Sequence, residues 1–226
     1  MLIPIFPKPV PFAEVDQAAR KLQIRLPIAS RMESPKTQSS TDQGMLTAVV
    51  QLLALAPVQL KMILEKGDMQ RPLMDVFVSG SHIIAAVYEK EGIAFLEALD
   101  PADLKQLLMQ SFVLLPFMEK NDQKYVMKAF PEAALEMMKS GLMPEGVPQH
   151  EAGELIRSVA QNHLIHCVMR KNGKQKTAVA VAGQTQVFTL MEEDDGGLLI
   201  AGTPIKLLQE LNMWLLMAFR EILKTE

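Results

Sequence analysis

Cysteine is almost missing from this 226-residue chain: Cys167 stands alone. A single thiol closes no internal disulfide, so a secreted scaffold held by bridges is excluded and a reducing, cytoplasmic setting is expected. Aromatic residues are scarce too, with one Trp, two Tyr and nine Phe. Neither sign of charge dominates, since 23 Lys and Arg face 26 Asp and Glu for a net charge of -3. No bulk electrostatic term therefore favours a phosphate backbone, and no nucleic-acid partner is expected. Long apolar runs are lacking. The longest, from Met45 to Leu60, is interrupted by Thr47, Gln51, Pro57 and Gln59 and falls short of the ~20 residues a bilayer span needs, so no stable membrane insertion is expected. The opening MLIPIFPKPVPF has no basic start and is broken by Pro4, Pro7, Pro9 and Pro11, which does not read as a secretory signal. What is present is an apolar inventory, 49% hydrophobic with sixteen Met. It suffices for one sizeable core or two small ones, and it is rich in a side chain that adapts to irregular surfaces.

The pattern along the chain predicts an N-terminal helix over about 12–26, then a polar connection over 31–43 (RMESPKTQSSTDQ). Thr41 or Asp42 can cap a helix to about Ala56, whose Leu46, Val49, Val50 and Leu53 share one face; Pro57 ends it. From Val58 the period changes to two. Val58, Leu60, Met62 and Leu64 point one way while Gln59, Lys61 and Glu65 point the other, as in a strand. Three more strand-like runs, 73–79, 82–89 and 93–99, follow through short turns that imply antiparallel pairing. Asp100-Pro101 then supplies an N-cap and a proline at the first helical position, opening a helix to about Leu115. After a helical stretch over 131–142, the second half repeats the order. A helix over 151–161 precedes strands over 163–170, 176–182, 185–191 and 198–201, and Thr203-Pro204 opens the last helix.

The punctuation keeps register between the halves. Gly67 and Gly173 are 106 residues apart, Gly80 and Gly183 103, Gly92 and Gly196 104, Pro101 and Pro204 103. Such a register predicts an internal duplication, with repeats at about 44–116 and 151–224 in a single domain spanning 1–226. The expected fold class is α+β: an antiparallel sheet from two pseudo-two-fold related helix-four-strand-helix repeats, flanked by helical bundles.

Candidate catalytic and metal sites are weak. His163, His166 and Cys167, with His82, have the residue types of a zinc site, but positions three apart on a strand face opposite ways. Glu192-Glu193-Asp194-Asp195 before two glycines reads as a hairpin turn, since the alternating acids of a calcium loop are missing. There is no glycine-rich loop between a strand and a helix and no nucleophile elbow, and an apolar strand raises rather than lowers the pKa of Cys167. No enzyme activity, cofactor or metal is expected. The final helix is more informative. Leu208, Leu211, Leu215, Ala218 and Ile222 form the stripe a sheet would bury, whereas Met213, Leu216, Met217 and Arg220 lie away from it. Either a second helical layer covers these four residues or they form a contact surface. The helix from Pro101 has a similar apolar excess in Leu107, Leu108, Met109, Phe112, Val113, Leu114 and Leu115.

Four segments together, FAEVDQAARKLQIRLP (12–27), AVVQLLALAPVQLKMIL (48–64), HIIAAVYEKEGIAFLEALDPADLKQLL (82–108) and EEDDGGLLIAGTPIKLLQEL (192–211), carry a resemblance. Their order of helix, proline, alternating strand, hairpins and proline-headed helix resembles the EspG-type cytosolic chaperones of type VII (ESX) secretion and relatives such as EsaE. The resemblance implies a non-enzymatic chaperone or adaptor. It would bind a helical secretion substrate of the WxG, PE/PPE or LXG kind and keep it soluble for export. The alternatives are a small-ligand-binding or enzymatic α+β domain using the cleft between repeats, and a structural homodimer pairing its apolar helix faces.

Overall fold

A computed structural model describes residues 1–24, 41–112, 115 and 122–224. The polar connection is therefore largely outside the described residues, as are Val113 and Leu114. The chain opens with β1 (Leu2–Pro4), α1 (Phe12–Lys21) and α2 (Gln43–Leu55), followed by β2 (Val58–Lys66), β3 (Met69–Ser79), β4 (His82–Tyr88), β5 (Ile93–Ala98) and α3 (Lys105–Ser111). The same order then returns: β6 (Gln123–Met127), α4 (Pro131–Lys139), α5 (Gln149–Gln161), β7 (Leu164–Lys171), β8 (Lys174–Ala182), β9 (Val187–Glu193), β10 (Gly196–Gly202) and α6 (Ile205–Leu223). All ten strands join one antiparallel sheet, ordered β1-β5-β4-β3-β2-β7-β8-β9-β10-β6. The fold is α+β.

Local chemistry accounts for the elements. Asp42 caps α2 through its side chain, accepting from Gly44 N at 2.9 Å and Met45 N at 3.0 Å, and Ala56 ahead of Pro57 is already extended. The Asn172-Gly173 turn joining β7 to β8 has both residues at positive φ, 49° and 79°, the conformation a two-residue hairpin of right-handed twist requires. Pro72 has no N–H for the ladder. It lies opposite Ile63, where the β2–β3 register shifts between Met62 and Ile63; such an irregularity lets a strand tolerate a proline.

Alternation along the strands divides the core into layers. Leu60, Met62, Val76, Ile165, Cys167 and Ala180 point to one face, where Leu104 just before α3, Leu108 of α3, and Leu211 and Leu215 of α6 cover them. On the other face, α1 and α2 pack over Phe77, Ile84 and Phe95, and α4 and α5 pack over Val179, Phe188, Leu190 and Leu199.

Several expectations need correction. Each half carries a fifth strand beyond the four expected: β1 on the outer edge of β5, and β6 on the outer edge of β10. Both are short, and β1 ends on a proline, so neither shows a clear alternation. The N-terminal helix stops at Lys21 rather than near 26, because Gln23 adopts a positive φ of 55°. The single helix expected from Pro101 to Leu115 begins as a 3₁₀ turn, Pro101–Leu104, and its α-helical part ends at Ser111. The expected capping is there in fuller form, with Asp100 and Asp103 forming a reciprocal capping box. The stretch expected helical to 142 ends at Lys139.

Candidate functional site

The two faces of the sheet offer different surfaces. On the α3/α6 side, Leu208, Leu211, Leu215 and Ala218 of the expected stripe are buried, as helical periodicity requires of a helix laid on a sheet; Leu207 joins them, while Ile222 near the helix end is only partly buried. The outward side of α6 is apolar as well. Met213 is 51% exposed and Met217 56%, one turn apart, with Ile205 and Leu223 exposed toward the ends. Leu216 is half-buried and Arg220 exposed. Trp214 and Phe219 lean inward onto the core, and Met109 of α3 is exposed on the same side of the sheet. The helices expected over 131–142 and 151–161 correspond to α4 and α5 and pack on the opposite face, so they supply no second layer over Met213 and Met217. An exposed row of methionines is a flexible apolar surface that can repack against a partner at small cost.

The opposite face has a polar trench. Where α1/α2 and α4/α5 each cover their own strands, the central pair β2 and β7 presents Gln59, Lys61, Glu65, His166, Val168 and Arg170. Glu65 is buried and serves as a junction: Lys139 of α4 approaches its Oε1 at 2.8 Å, Gln70 donates to Oε2 at 2.9 Å, and His166 Nε2 lies 3.1 Å from Oε2 without hydrogen-bond alignment. Burial pushes the Glu65 carboxyl up, but the hydrogen bonds from Lys139 and Gln70, with the charges of His166 and Lys139, hold it below its ordinary value. Burial lowers the His166 pKa against the pull of Glu65. Asp75 of β3, paired across the ladder with Lys61, is fully buried. Its Oδ2 accepts from the Tyr88 hydroxyl at 3.0 Å, and its Oδ1 has no partner. Burial raises this carboxyl to about 6, with Lys61, Tyr88 and Arg170 opposing.

The residue types that suggested metal or thiol chemistry are dispersed. Cys167 faces the α6 core and His166 the trench; His163 precedes β7; His82 pairs with Glu97 at 2.9 Å. Burial pushes the Cys167 thiol up to about 12, leaving no thiolate nucleophile at neutral pH. No group of three or more His, Cys, Asp or Glu among the described residues is arranged to hold a metal ion. Within the acidic turn, Glu192 accepts from Thr177 N at 2.8 Å and Oγ1 at 3.1 Å, tying β9 to β8. Sequence reading identified the outward residues of α6 but missed the trench as a site. Its only signal was the alternation of Gln59, Lys61 and Glu65, which marks a polar face without saying which strand lies beside it.

No family model matches the chain, and no curated protein matches it. Among solved structures, the chain is similar to the Mycobacterium tuberculosis type VII secretion system chaperone EspG5, solved in complex with the PE25–PPE41 dimer. The likeness has a TM-score of 0.54 at 11% sequence identity and covers 100% of this chain and 96% of that one. At such low identity the shared property is the fold, and this chain has an EspG-like fold along its whole length.

Proposed function

We propose that this protein is a non-enzymatic cytosolic chaperone or adaptor for a helical type VII secretion substrate of the WxG, PE/PPE or LXG kind. We further propose that the outer side of α6, with Met213, Leu216, Met217 and Arg220, contacts that substrate. The observation carrying the reading is the exposed methionine row on a fold whose full length resembles a chaperone solved with its PE25–PPE41 dimer. Helical secretion substrates have apolar seams, and a seam left wet associates unless an apolar surface covers it. The chain is read as one domain built by duplication. Support comes from the identical order of strand, two helices, four strands and helix in each half, and from the antiparallel β2–β7 pair at the centre of a symmetric strand order.

The test is a double substitution, Met213→Glu with Met217→Glu, at two positions exposed enough to accept charge. Pull-down from native lysate with the unaltered protein is expected to recover a small all-helical protein. The double variant is expected to keep its circular dichroism and thermal midpoint while losing most of that partner, at least ~tenfold in affinity. A folded double variant that retains the partner rejects the α6 assignment. Recovery of nothing but a second copy of this chain rejects the chaperone reading in favour of a homodimer.

A further inference from the structure

The outer surface of α6 changes character along its length. Arg220 stands seven residues after Met213, and Lys224 seven after Met217, so two helical turns on the methionine row runs into a row of cations. Both are exposed. The β7–β8 hairpin adds to them. Lys171, whose amine is tied to Glu221 of α6, lies opposite Lys174 in the ladder, and side chains directly opposite in an antiparallel pair share a face. Lys174 therefore stands on the α6 side as well. The only carboxylates of α6 are Glu210, which takes Lys206 at 2.6 Å, and Glu221, which takes Lys171. Arg220, Lys224 and Lys174 are left without an ion pair among the described residues. The acidic turn after β9 lies beyond β8, where Asp194 faces Lys176 at 3.7 Å. A cation in the last turn of a helix complements its dipole, which accounts for Arg220 and Lys224 but not for Lys174, a residue of another element. In a chain of net charge -3, this is a local reversal of sign placed where the exposed apolar row ends.

We propose that α6 and the β7–β8 hairpin together dock an acidic amphipathic helix, its apolar seam on Met213, Leu216 and Met217 and the carboxylates that end the seam on Arg220, Lys224 and Lys174. This rests on the assignment of the outer side of α6 to substrate contact and adds the charge of the partner. A carboxylate set against Arg220 accepts two parallel hydrogen bonds from the guanidinium fork. Exposed rim charges act chiefly on the rate of encounter and on the choice among partners, so the mark of this site is a salt-dependent preference for acidic helices.

The test uses three capped peptides of about 18 residues, held helical by a hydrocarbon staple on the outer side. They share one leucine seam and carry Glu, Gln or Lys at both ends of it. In fluorescence-anisotropy titrations of the full chain at about 50 mM salt, the Glu peptide is expected to bind about tenfold tighter than the Lys peptide, with the Gln peptide between them. The gap is expected to close at about 500 mM salt. Arg220→Glu with Lys224→Glu is expected to reverse the order at unchanged circular dichroism. Should that variant fail to fold, Lys174→Glu on the exposed hairpin decides alone, with the gap expected to narrow at least ~twofold. The neutral change Met213→Gln with Met217→Gln is expected to weaken all three peptides. Equal binding of the three peptides, lost in the methionine variant, overturns the acidic partner while the α6 contact stands. No binding of any peptide up to about 1 mM overturns both. A free chain that is dimeric by light scattering and becomes monomeric in the methionine variant gives this face to a second copy, and likewise overturns the proposal.

Discussion

Asp75 shows how a single side chain sets a pH dependence. Its carboxyl is fully buried and raised to about 6 from an ordinary 3.8, so between those values the folded chain holds a proton that the unfolded chain has released. Stability from this group is complete below about pH 4 and is lost as pH rises through about 6, a loss of up to about 3 kcal/mol by linkage. Asp75→Asn removes the titration but keeps an oxygen for the Tyr88 hydroxyl. The variant is therefore expected to gain on the parent between pH 4 and pH 7 in urea-unfolding midpoints. A difference that does not change with pH contradicts this origin. Glu65 acts in the opposite direction: its pKa is held low, so its contribution is lost as pH falls. The comparison must therefore be between variant and parent at each pH, since the parent curve alone combines both groups.

At the scale of elements, capping can be measured separately from packing. Both hydrogen bonds accepted by Asp42 satisfy N–H groups that the first turn of α2 cannot pair internally. Asp42→Ala is expected to lower stability by about 1 kcal/mol and Asp42→Asn by much less, read by thermal or urea unfolding. Equal effects of the two substitutions would mean that the cap contributes little. α2 and its end at Pro57 were legible in the sequence because each is a local preference, and its cap was narrowed to Thr41 or Asp42, of which the structure uses Asp42. The start of α3 was only half legible. Asp100-Pro101 signals a helical opening, but whether the first turn is 3₁₀ or α depends on how Leu104 and Leu108 reach the sheet core.

Across the whole molecule, the β2–β7 ladder, from Val58 opposite Lys171 to Glu65 opposite Leu164, is where the two halves meet in the sheet. A chain cut within 113–121 leaves the N-terminal half with an open β2 edge. It also lacks α6, which covers Leu60, Met62 and Val76. An exposed strand edge beside an uncovered apolar face recruits another strand. The isolated half is therefore expected to run as a dimer or larger species in size-exclusion chromatography with light scattering, and to return to a one-to-one complex when the second half is added. A stable monomeric half would show that the ladder is dispensable and would count against the duplication reading.

The sequence by itself determined what depends on neighbours within a few residues: the two-residue alternation of β2, the Asn172-Gly173 hairpin, the proline-marked ends of helices, and the buried stripe of α6. It also determined the repeated punctuation, because turns demand particular residues wherever they fall. Tertiary structure alone decided which strands lie side by side, since alternation marks a face but carries no label for its partner. Only the meeting of β2 with β7 sets Gln59 opposite Arg170 and brings Glu65 within reach of His166. The edge strands β1 and β6 were decided there too, because three to five residues supply too little pattern of their own and owe their conformation to the hydrogen bonds that β5 and β10 offer.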